Sequence, residues 1–183
     1  VSFSKVCPRD YFVKIIGKDA KQIDLPSESI DLAVTSPPYL NAVDYPRANQ
    51  LQIYWLGLYD DKLSNLKKLY VGTEQVTARE YTHFVDYGNT FLDDIIEKIY
   101  LVDKKRSYVV CKYFQDMRTN FLEIKRVLRS GSQYCVAVAD NIVRKIPVPT
   151  HAILMSIAQE VGFTTVDYFA SLLMMRPHDM RET

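Results

Sequence analysis

Two short apolar runs near the start of the chain have the pattern of buried strands. Residues 11–16 read YFVKII and stop at Gly17, and Ile30–Thr35 read IDLAVT. Runs of this length that are rich in branched and aromatic residues predict strands. The second run is apolar enough to be covered on both faces, as in a parallel sheet. Pro37 and Pro38 end this strand, because proline has no N–H to donate to a neighbouring strand.

A helical period replaces this pattern in the second half of the chain. Residues 89–130 contain neither glycine nor proline, and their apolar side chains recur every three or four positions. This spacing is typical of helices that bury one face. It predicts two long helices with a break near residues 103–106.

Shorter elements are expected after the long helices. A loop over residues 130–132 is predicted to lead into a buried strand over residues 133–139. A helix is expected over Thr150–Val161, with its first residue as the N-terminal cap and Gly162 as the C-terminal cap. A last strand is predicted over residues 164–174.

Residues 40–88 are predicted to form a helical insertion after the second strand. Pro46 is expected to begin a helix that runs to Leu58, and a second helix is expected over residues 60–70. Such insertions often cover active sites, although simple packing is their commoner role. Most aromatic side chains here are expected in the core, with a base-stacking surface as the alternative: Tyr54, Trp55, Tyr59, Tyr81, Phe84 and Tyr87.

Strands that alternate with helices predict an α/β fold, with a mainly parallel sheet flanked by helices. The 183 residues suit a single domain. Residues 11–39 would supply a strand, a turn and a second strand, residues 40–88 the helical insertion, and residues 89–183 the remaining helices and strands.

Composition narrows the possible functions. Lys and Arg total 23 against 22 Asp and Glu, so any nucleic-acid contact depends on a local patch and not on net charge. The three cysteines and three histidines lack metal-ligand spacing, which predicts no metal site. No apolar run is long enough for a membrane span and no basic-then-apolar leader opens the chain, so a soluble, cytoplasmic protein is expected.

The most informative residues are Ser36, Pro37, Pro38 and Tyr39, directly after the second predicted strand. The prolines hold the backbone extended at the carboxyl end of a strand, where ligands bind in open α/β sheets. The Ser36 hydroxyl and the Pro37 carbonyl offer two acceptors to an amino group that must lose a proton. Tyr39 adds an aromatic face for a planar ring.

This sequence resembles the S-adenosylmethionine-dependent DNA amino-methyltransferases, whose catalytic motif reads D/N/S-P-P-Y/F. The segment IIGKDAKQIDLPSESIDLAVTSPPY is similar to the family's run from a G-D-A-like turn into the catalytic strand, although Lys18 separates Gly17 from Asp19. FLEIKRVLRSGSQYCVAVAD resembles the family's helix and RVLKPGG turn, and IAQEVGF its next helix and GF turn. Ser130 and Ser132 replace the usual proline and second glycine.

The resemblance implies a Rossmann-like methyltransferase fold and a reaction on DNA. In these enzymes the target base is rotated out of the duplex and methylated on its exocyclic amine. Residues 36–39 would hold the base, and Asp19 would accept a hydrogen bond from the adenine amine of S-adenosylmethionine. Serine in the first motif position favours cytosine N4 over adenine N6. Arg47, in the DYPR loop expected over the pocket, would contact a backbone phosphate.

One part of the family pattern is missing from this sequence. The six glycines include no G-x-G pair, so the chain lacks the F-x-G-x-G turn that holds the methionine moiety of the cofactor. The family occurs in permuted orders, so that half could lie outside the chain, come from another subunit or be lost. The predicted sheet would then lack its first strands, and its open edge is expected to pair with a second copy or with a chain that supplies the cofactor half.

Three functions fit these observations. The first is the catalytic half of a DNA amino-methyltransferase of a restriction-modification system. The second is an enzyme with the same amine chemistry on RNA or on a protein glutamine, because the motif is shared with such enzymes. The third is a non-catalytic scaffold module that keeps the fold.

Overall fold

The computed structural model describes residues 14–15, 19–40 and 44–170. Most of the first predicted strand, together with Gly17 and Lys18, lies outside the described residues. The end of the last predicted strand, residues 171–174, also lies outside them.

The described chain combines a parallel strand pair, a long helical hairpin and several shorter elements. A 3₁₀ turn over Ala78–Tyr81 lies within the insertion, ahead of the long helices. The order along the chain is β1 (Ile30–Thr35), α1 (Tyr45–Ala48), α2 (Gln50–Trp55), α3 (Leu63–Leu69), α4 (Thr90–Val102), α5 (Lys104–Val127), β2 (Leu128–Val136), β3 (Asn141–Val143), β4 (Ile146–Val148) and α6 (Thr150–Val161).

The two parallel strands, β1 and β2, have an irregular start. Ile30 pairs with Leu128, but Leu32 already pairs with Gln133, so β2 holds three extra residues at this point. The predicted loop over residues 130–132 is therefore wrong: it is a bulge inside β2, and its glycine has φ +79°. The parallel direction of the pair and the end of β1 before the double proline are both confirmed.

One face of this sheet packs on the core and the other is open. Tyr134 and Val136 of β2 pack against the core cluster. On the opposite face, Leu32 and Val34 are 53% and 73% exposed. The prediction that β1 is covered on both faces is therefore wrong, because the described helices contribute their apolar faces to one side of the sheet only.

The core lies between α4, α5, α6 and the covered face of the sheet. Asp103 separates α4 from α5, and its carboxylate accepts a hydrogen bond from the Arg106 N–H at 3.0 Å. This confirms the predicted pair of long helices and the position of their break. The largest fully buried side chains come mainly from α4, α5 and α6: Leu92, Ile96, Ile99, Tyr113, Phe114, Met117, Ile153 and Ile157.

α6 has the predicted bounds but a different N-terminal cap. Gly162 ends the helix with φ +95°, as predicted. At the other end the N-cap residue is Pro149, and the Thr150 hydroxyl donates to a backbone carbonyl in place of capping. The polar group at the helix start is Asp140, whose carboxylate accepts from the His151 N–H at 3.2 Å and lies 2.6 Å from its Nδ1.

Two further predictions at this end of the chain fail. β3 and β4 form an antiparallel hairpin that the sequence did not indicate, because its turn lacks the usual Asn-Gly signal. Residues 164–170 have no regular structure. Val166 and Phe169 are 81% and 89% exposed, so this segment finds no partner strand among the described residues.

The insertion is helical but less regular than predicted. The helix expected from Pro46 to Leu58 is broken at Asn49 into α1 and α2, and the helix expected over residues 60–70 is the shorter α3. Trp55 is 81% exposed. Tyr54 and Phe84 are also exposed, so the placement of most of these aromatic residues in the core is wrong.

Three side chains of α5 hold the segment that leads into β1. Asn120 donates to the Ala20 carbonyl at 2.7 Å, and Glu123 accepts from the Ile23 N–H at 2.8 Å. The Arg126 guanidinium donates to two backbone carbonyls of the segment and to Glu123. Residues 20–29 are therefore fixed along α5 by hydrogen bonds that satisfy backbone groups without a sheet or a helix.

We expect Glu123→Gln to make the fold less sensitive to acid. Hydrogen bonds from Arg126 and from the Ile23 N–H lower the pKa of Glu123 to about 2, from an ordinary value of 4.5. Because the folded pKa is the lower one, ionised Glu123 stabilises the fold above about pH 4.5, and this contribution is lost as the pH falls toward 2.

Urea titrations at several pH values in this window will test the prediction. The free energy of unfolding of Glu123→Gln should change less with pH than that of the wild type. Glu97→Gln is the control, because Glu97 is exposed on α4 and forms no ion pair within the described part of the chain. Equal pH dependence in wild type and Glu123→Gln would contradict the prediction.

No helix among the described residues is long and apolar enough to cross a bilayer. The mixed α/β structure, with a short parallel sheet and helices beside it, is compatible with a methyltransferase-like fold. The observed sheets are a parallel pair and an antiparallel hairpin.

Candidate active site

The Ser-Pro-Pro-Tyr motif begins where β1 ends. The Thr35 carbonyl accepts the last sheet hydrogen bond, from the Ala137 N–H at 2.9 Å. Pro37 is buried, whereas Ser36 and Tyr39 are exposed. Neither the Ser36 hydroxyl nor the Pro37 carbonyl has a hydrogen-bond partner among the described residues. The Ser36 hydroxyl is therefore exposed just after the carboxyl end of a parallel strand, beside the buried Pro37.

A cleft of about 190 Å³ lies between this motif and the helical insertion. It is smaller than the roughly 300–1,000 Å³ of typical small-molecule pockets, which suits one planar ring better than a whole nucleotide cofactor. Pro38 and Tyr39 line one side. The other lining residues are Leu40, Asp44, Tyr45, Pro46, Lys67, Tyr70, Val71, Gly72, Thr73, Glu74 and Gln75.

An ion pair between Asp44 and Lys67 joins α1 to α3 at the cleft. Asp44 also begins α1, because its carboxylate accepts from the Arg47 N–H at 3.2 Å. Burial alone would raise the pKa of Asp44, but the hydrogen bonds from Lys67 and Arg47 outweigh it and lower the pKa. The segment predicted as a loop over the pocket is thus a capped helical turn that is tied to α3.

Lys67 and Gly72 also line the cleft, although the sequence around them carries no motif of a binding site. Lys67 meets an acid 23 residues earlier in the chain, and no local pattern signals a contact at that separation. Gly72 has φ +74°, and a Cβ added there would lie 3.3 Å from the ring of buried Tyr113. The floor of the cleft is therefore formed where the backbone passes closely over an aromatic ring.

We expect Gly72→Ala to lower the free energy of unfolding by about 2 kcal/mol, of which about 1 kcal/mol comes from the positive φ and the rest from crowding against Tyr113. Gly57→Ala is the matched control. Gly57 has φ +62°, but no atom lies within 4 Å of an added Cβ, so only the backbone cost of about 1 kcal/mol is expected. Urea denaturation measures both values, and equal losses would contradict the close packing at Gly72.

Asp19, the predicted cofactor residue, lies on the α5 side of the sheet. Its carboxylate accepts from the Lys21 N–H at 2.9 Å. The next residue is held by Asn120, which also accepts from the Tyr134 hydroxyl at 2.8 Å. Because Tyr134 pairs with Ala33 near the end of β1, Asp19 is placed toward the same end of the sheet as the motif. It does not line the cleft.

Arg47, the predicted phosphate contact, lies in the last turn of α1 and is exposed. Its neighbours Tyr45 and Pro46 line the cleft, but Arg47 does not. Its side chain forms no ion pair with the described residues. Of the predicted site residues, Pro38 and Tyr39 line the cleft, whereas Asp19, Ser36, Pro37 and Arg47 do not.

The chain is similar to several Type II methyltransferases. It is 28% identical over 156 residues to the Type II methyltransferase M.MvaI of Kocuria varians, a match that covers 79% of this chain and 34% of that protein. It is 30% identical over 148 residues to M.AvaI of Anabaena variabilis, covering 73% of this chain and 30% of the relative. M.BsoBI of Geobacillus stearothermophilus is 23% identical over 195 aligned positions, a match that covers 90% of this chain and 38% of that protein.

The chain spans about a third of the length of these relatives. No protein-family model matches it, and no solved structure matches it. The similarity to Type II methyltransferases covers most of this chain and supports the resemblance to DNA methyltransferases.

Proposed function

We propose that this chain holds the target base in an S-adenosylmethionine-dependent DNA amino-methyltransferase of a restriction-modification system. One observation carries the proposal: the Ser-Pro-Pro-Tyr run follows the end of a parallel strand, and its second half, Pro38 and Tyr39, lines a cleft of about 190 Å³. The similarity to Type II methyltransferases supports it. Cytosine N4 is the preferred target because serine occupies the first motif position.

The chemistry requires acceptors for the hydrogens of the target amine. An exocyclic amine is a weak nucleophile, because its lone pair is delocalised into the ring. Hydrogen bonds from the amine to the Ser36 hydroxyl and the Pro37 carbonyl would draw the nitrogen away from planarity and stabilise the positive charge that develops as its bond to carbon forms. Tyr39 would stack on the flipped base and hold the ring in place.

In this proposal, Asp19 suits the adenine end of S-adenosylmethionine. When bound, this cofactor supplies a methyl group from a positively charged sulfur. Asp19 is exposed and uses one carboxylate oxygen for the Lys21 N–H, which leaves the other oxygen to accept from the adenine amine. No glycine-rich turn for the methionine end occurs in the sequence, so we assign only the adenine contact to this chain.

A second part of the proposal concerns the sheet. β1 and β2 each have one neighbour among the described strands, and Leu32 and Val34 remain exposed on one face. We infer that further strands complete this sheet, supplied by a second copy or by a chain that carries the cofactor half. Analytical ultracentrifugation should show association at high concentration, and a strict monomer would count against a second copy.

A methyl-transfer assay tests the proposed function. The protein as its gene encodes it is incubated with radiolabelled S-adenosylmethionine and duplex DNA, and the product is digested to nucleosides. N4-methylcytosine is the expected product, whereas N6-methyladenine would overturn the choice of base. Label on RNA or on protein glutamine in place of DNA would overturn the substrate class. Absence of cofactor binding by calorimetry would favour a scaffold role.

A further inference from the structure

Two basic segments that are far apart in the sequence meet at the start of α5. Asp103 is the residue that caps α5, and Lys104 and Lys105 are the first residues of the helix. The guanidinium of Arg144, from the turn of the β3–β4 hairpin, lies 2.7–2.8 Å from the Asp103 carboxylate. This ion pair fixes the hairpin turn, which includes Lys145, beside the N-terminus of α5.

The hairpin turn has an unfavourable backbone for the residues it contains. Arg144 and Lys145 have φ +52° and +66°, as a two-residue turn between antiparallel strands requires. Asn-Gly or Asp-Gly is usual at these positions, because long side chains are strained there. Strained positions of this kind often serve a function that the usual residues would not supply. Both residues are cations, and the Arg144 guanidinium is paired with Asp103.

Three lysines at this place form no ion pair with any acid among the described residues. Arg106 is paired with Glu74, and Arg144 with Asp103. By contrast, none of three neighbouring cations forms an ion pair within the residues that the structure describes: Lys104, Lys105 and Lys145. We call these three lysines the basic surface. Lys104 also lies 5.2 Å from the ring centre of Tyr100, which keeps its ammonium near the helix start.

The basic surface is connected to the candidate cleft by one ion pair. Arg106, which follows the two lysines on α5, binds Glu74, and Glu74 lines the cleft beside the Ser-Pro-Pro-Tyr motif. We propose that the basic surface binds phosphates of duplex DNA next to the site that takes the flipped base. This inference rests on the proposed function, and it assigns the DNA contact to residues other than Arg47.

Charge reversal and salt dependence test the proposal. Binding of the chain to a 20-base-pair duplex is measured by fluorescence anisotropy at several salt concentrations. Lys104→Glu/Lys105→Glu/Lys145→Glu should weaken binding by about 10²-fold near 0.1 M salt and reduce the slope of log K against log salt by about 2.7, since each lost phosphate contact removes about 0.9. Arg118→Glu is the control, because Arg118 is exposed about 21 Å further along the same helix.

The outcomes separate this proposal from the proposed function. Unchanged DNA binding in the triple variant, no DNA binding by the wild type, or an equal loss in Arg118→Glu would overturn the basic surface. Tighter binding to single-stranded RNA of the same length would overturn the choice of DNA. If DNA binding falls as expected but no methyl transfer occurs in the wild type, the basic surface stands and the proposed function fails.

A second variant distinguishes a binding role from a structural one. Lys145→Gly removes a charge and relieves the strained φ, so it should raise the Tm by about 2–4 °C while it reduces the salt slope by about 0.9. A lysine that served only the fold would change the Tm without changing the salt slope, and that result would overturn its place in the basic surface.

Discussion

Replacing Ser36 with Ala should lower the rate of methyl transfer by about 10²–10³-fold and leave the affinity for S-adenosylmethionine unchanged. This drop in rate is the one expected when an enzyme loses one aligned group that stabilises the charge developing in the transition state. Ser36 is exposed at the end of β1 and has no hydrogen-bond partner among the described residues, so the substitution should not disturb the fold. Single-turnover kinetics give the rate, and calorimetry gives the cofactor affinity.

The control for Ser36 is another exposed serine of the same sheet. Ser130 lies in the bulge of β2, away from the cleft, and Ser130→Ala should leave both measurements unchanged. Tyr39 gives a second check, because Tyr39→Phe keeps the aromatic face and should keep most of the activity, whereas Tyr39→Ala should lose it. Full activity of both Ser36→Ala and Tyr39→Ala would refute the assignment of the motif.

Replacing Phe121 with Ala should lower the free energy of unfolding by about 3–5 kcal/mol. Phe121 is 2% exposed, and its ring contacts Tyr134 at 5.7 Å and Phe163 at 6.4 Å between centroids. The variant loses the buried ring and leaves a cavity between α5, β2 and Phe163, the second residue after α6. The total free energy of unfolding of a small domain is about 5–15 kcal/mol, so the expected loss is a large share of it.

Leu122→Ala is the matched control for Phe121→Ala. Leu122 is the next residue of α5 but is 45% exposed, so its loss should cost well under 1 kcal/mol. Both values come from urea denaturation followed by circular dichroism. Similar losses of unfolding free energy for the two variants would mean that the contacts among Phe121, Tyr134 and Phe163 do not stabilise the packing of α5 on β2.

The elements that the sequence predicted correctly have signals confined to a few residues. The double proline ends β1, Asp103 breaks the long helical stretch, and Gly162 stops α6. In each case the residue acts through its own backbone or through a bond three residues away. Periodicity and these local signals were therefore sufficient for the long helices and the end of β1.

The failures concern contacts that depend on the rest of the fold. Thr150 is a good cap by type, but Asp140 approaches the helix start from eleven residues earlier. The apolar segment of residues 164–170 needs a partner strand, and none is present among the described residues. The Asp44–Lys67 pair at the cleft likewise depends on how α1 and α3 pack. Sequence could place the motif residues, but not the side chains that surround them.

α5 connects the parts of the molecule that have been assigned separate roles. This single helix of 24 residues is about 36 Å long. It begins at the basic surface, reaches the cleft through Arg106, and holds the Asp19 segment through Asn120. One added or deleted residue inside it would rotate everything beyond that point by about 100°, so we expect its length to be fixed, whereas the bulge at residues 129–132 can absorb insertions. On the assignments proposed above, the distance between the lysines of the basic surface on α5 and the Asp19 segment is thus set by a single helix and not by loops.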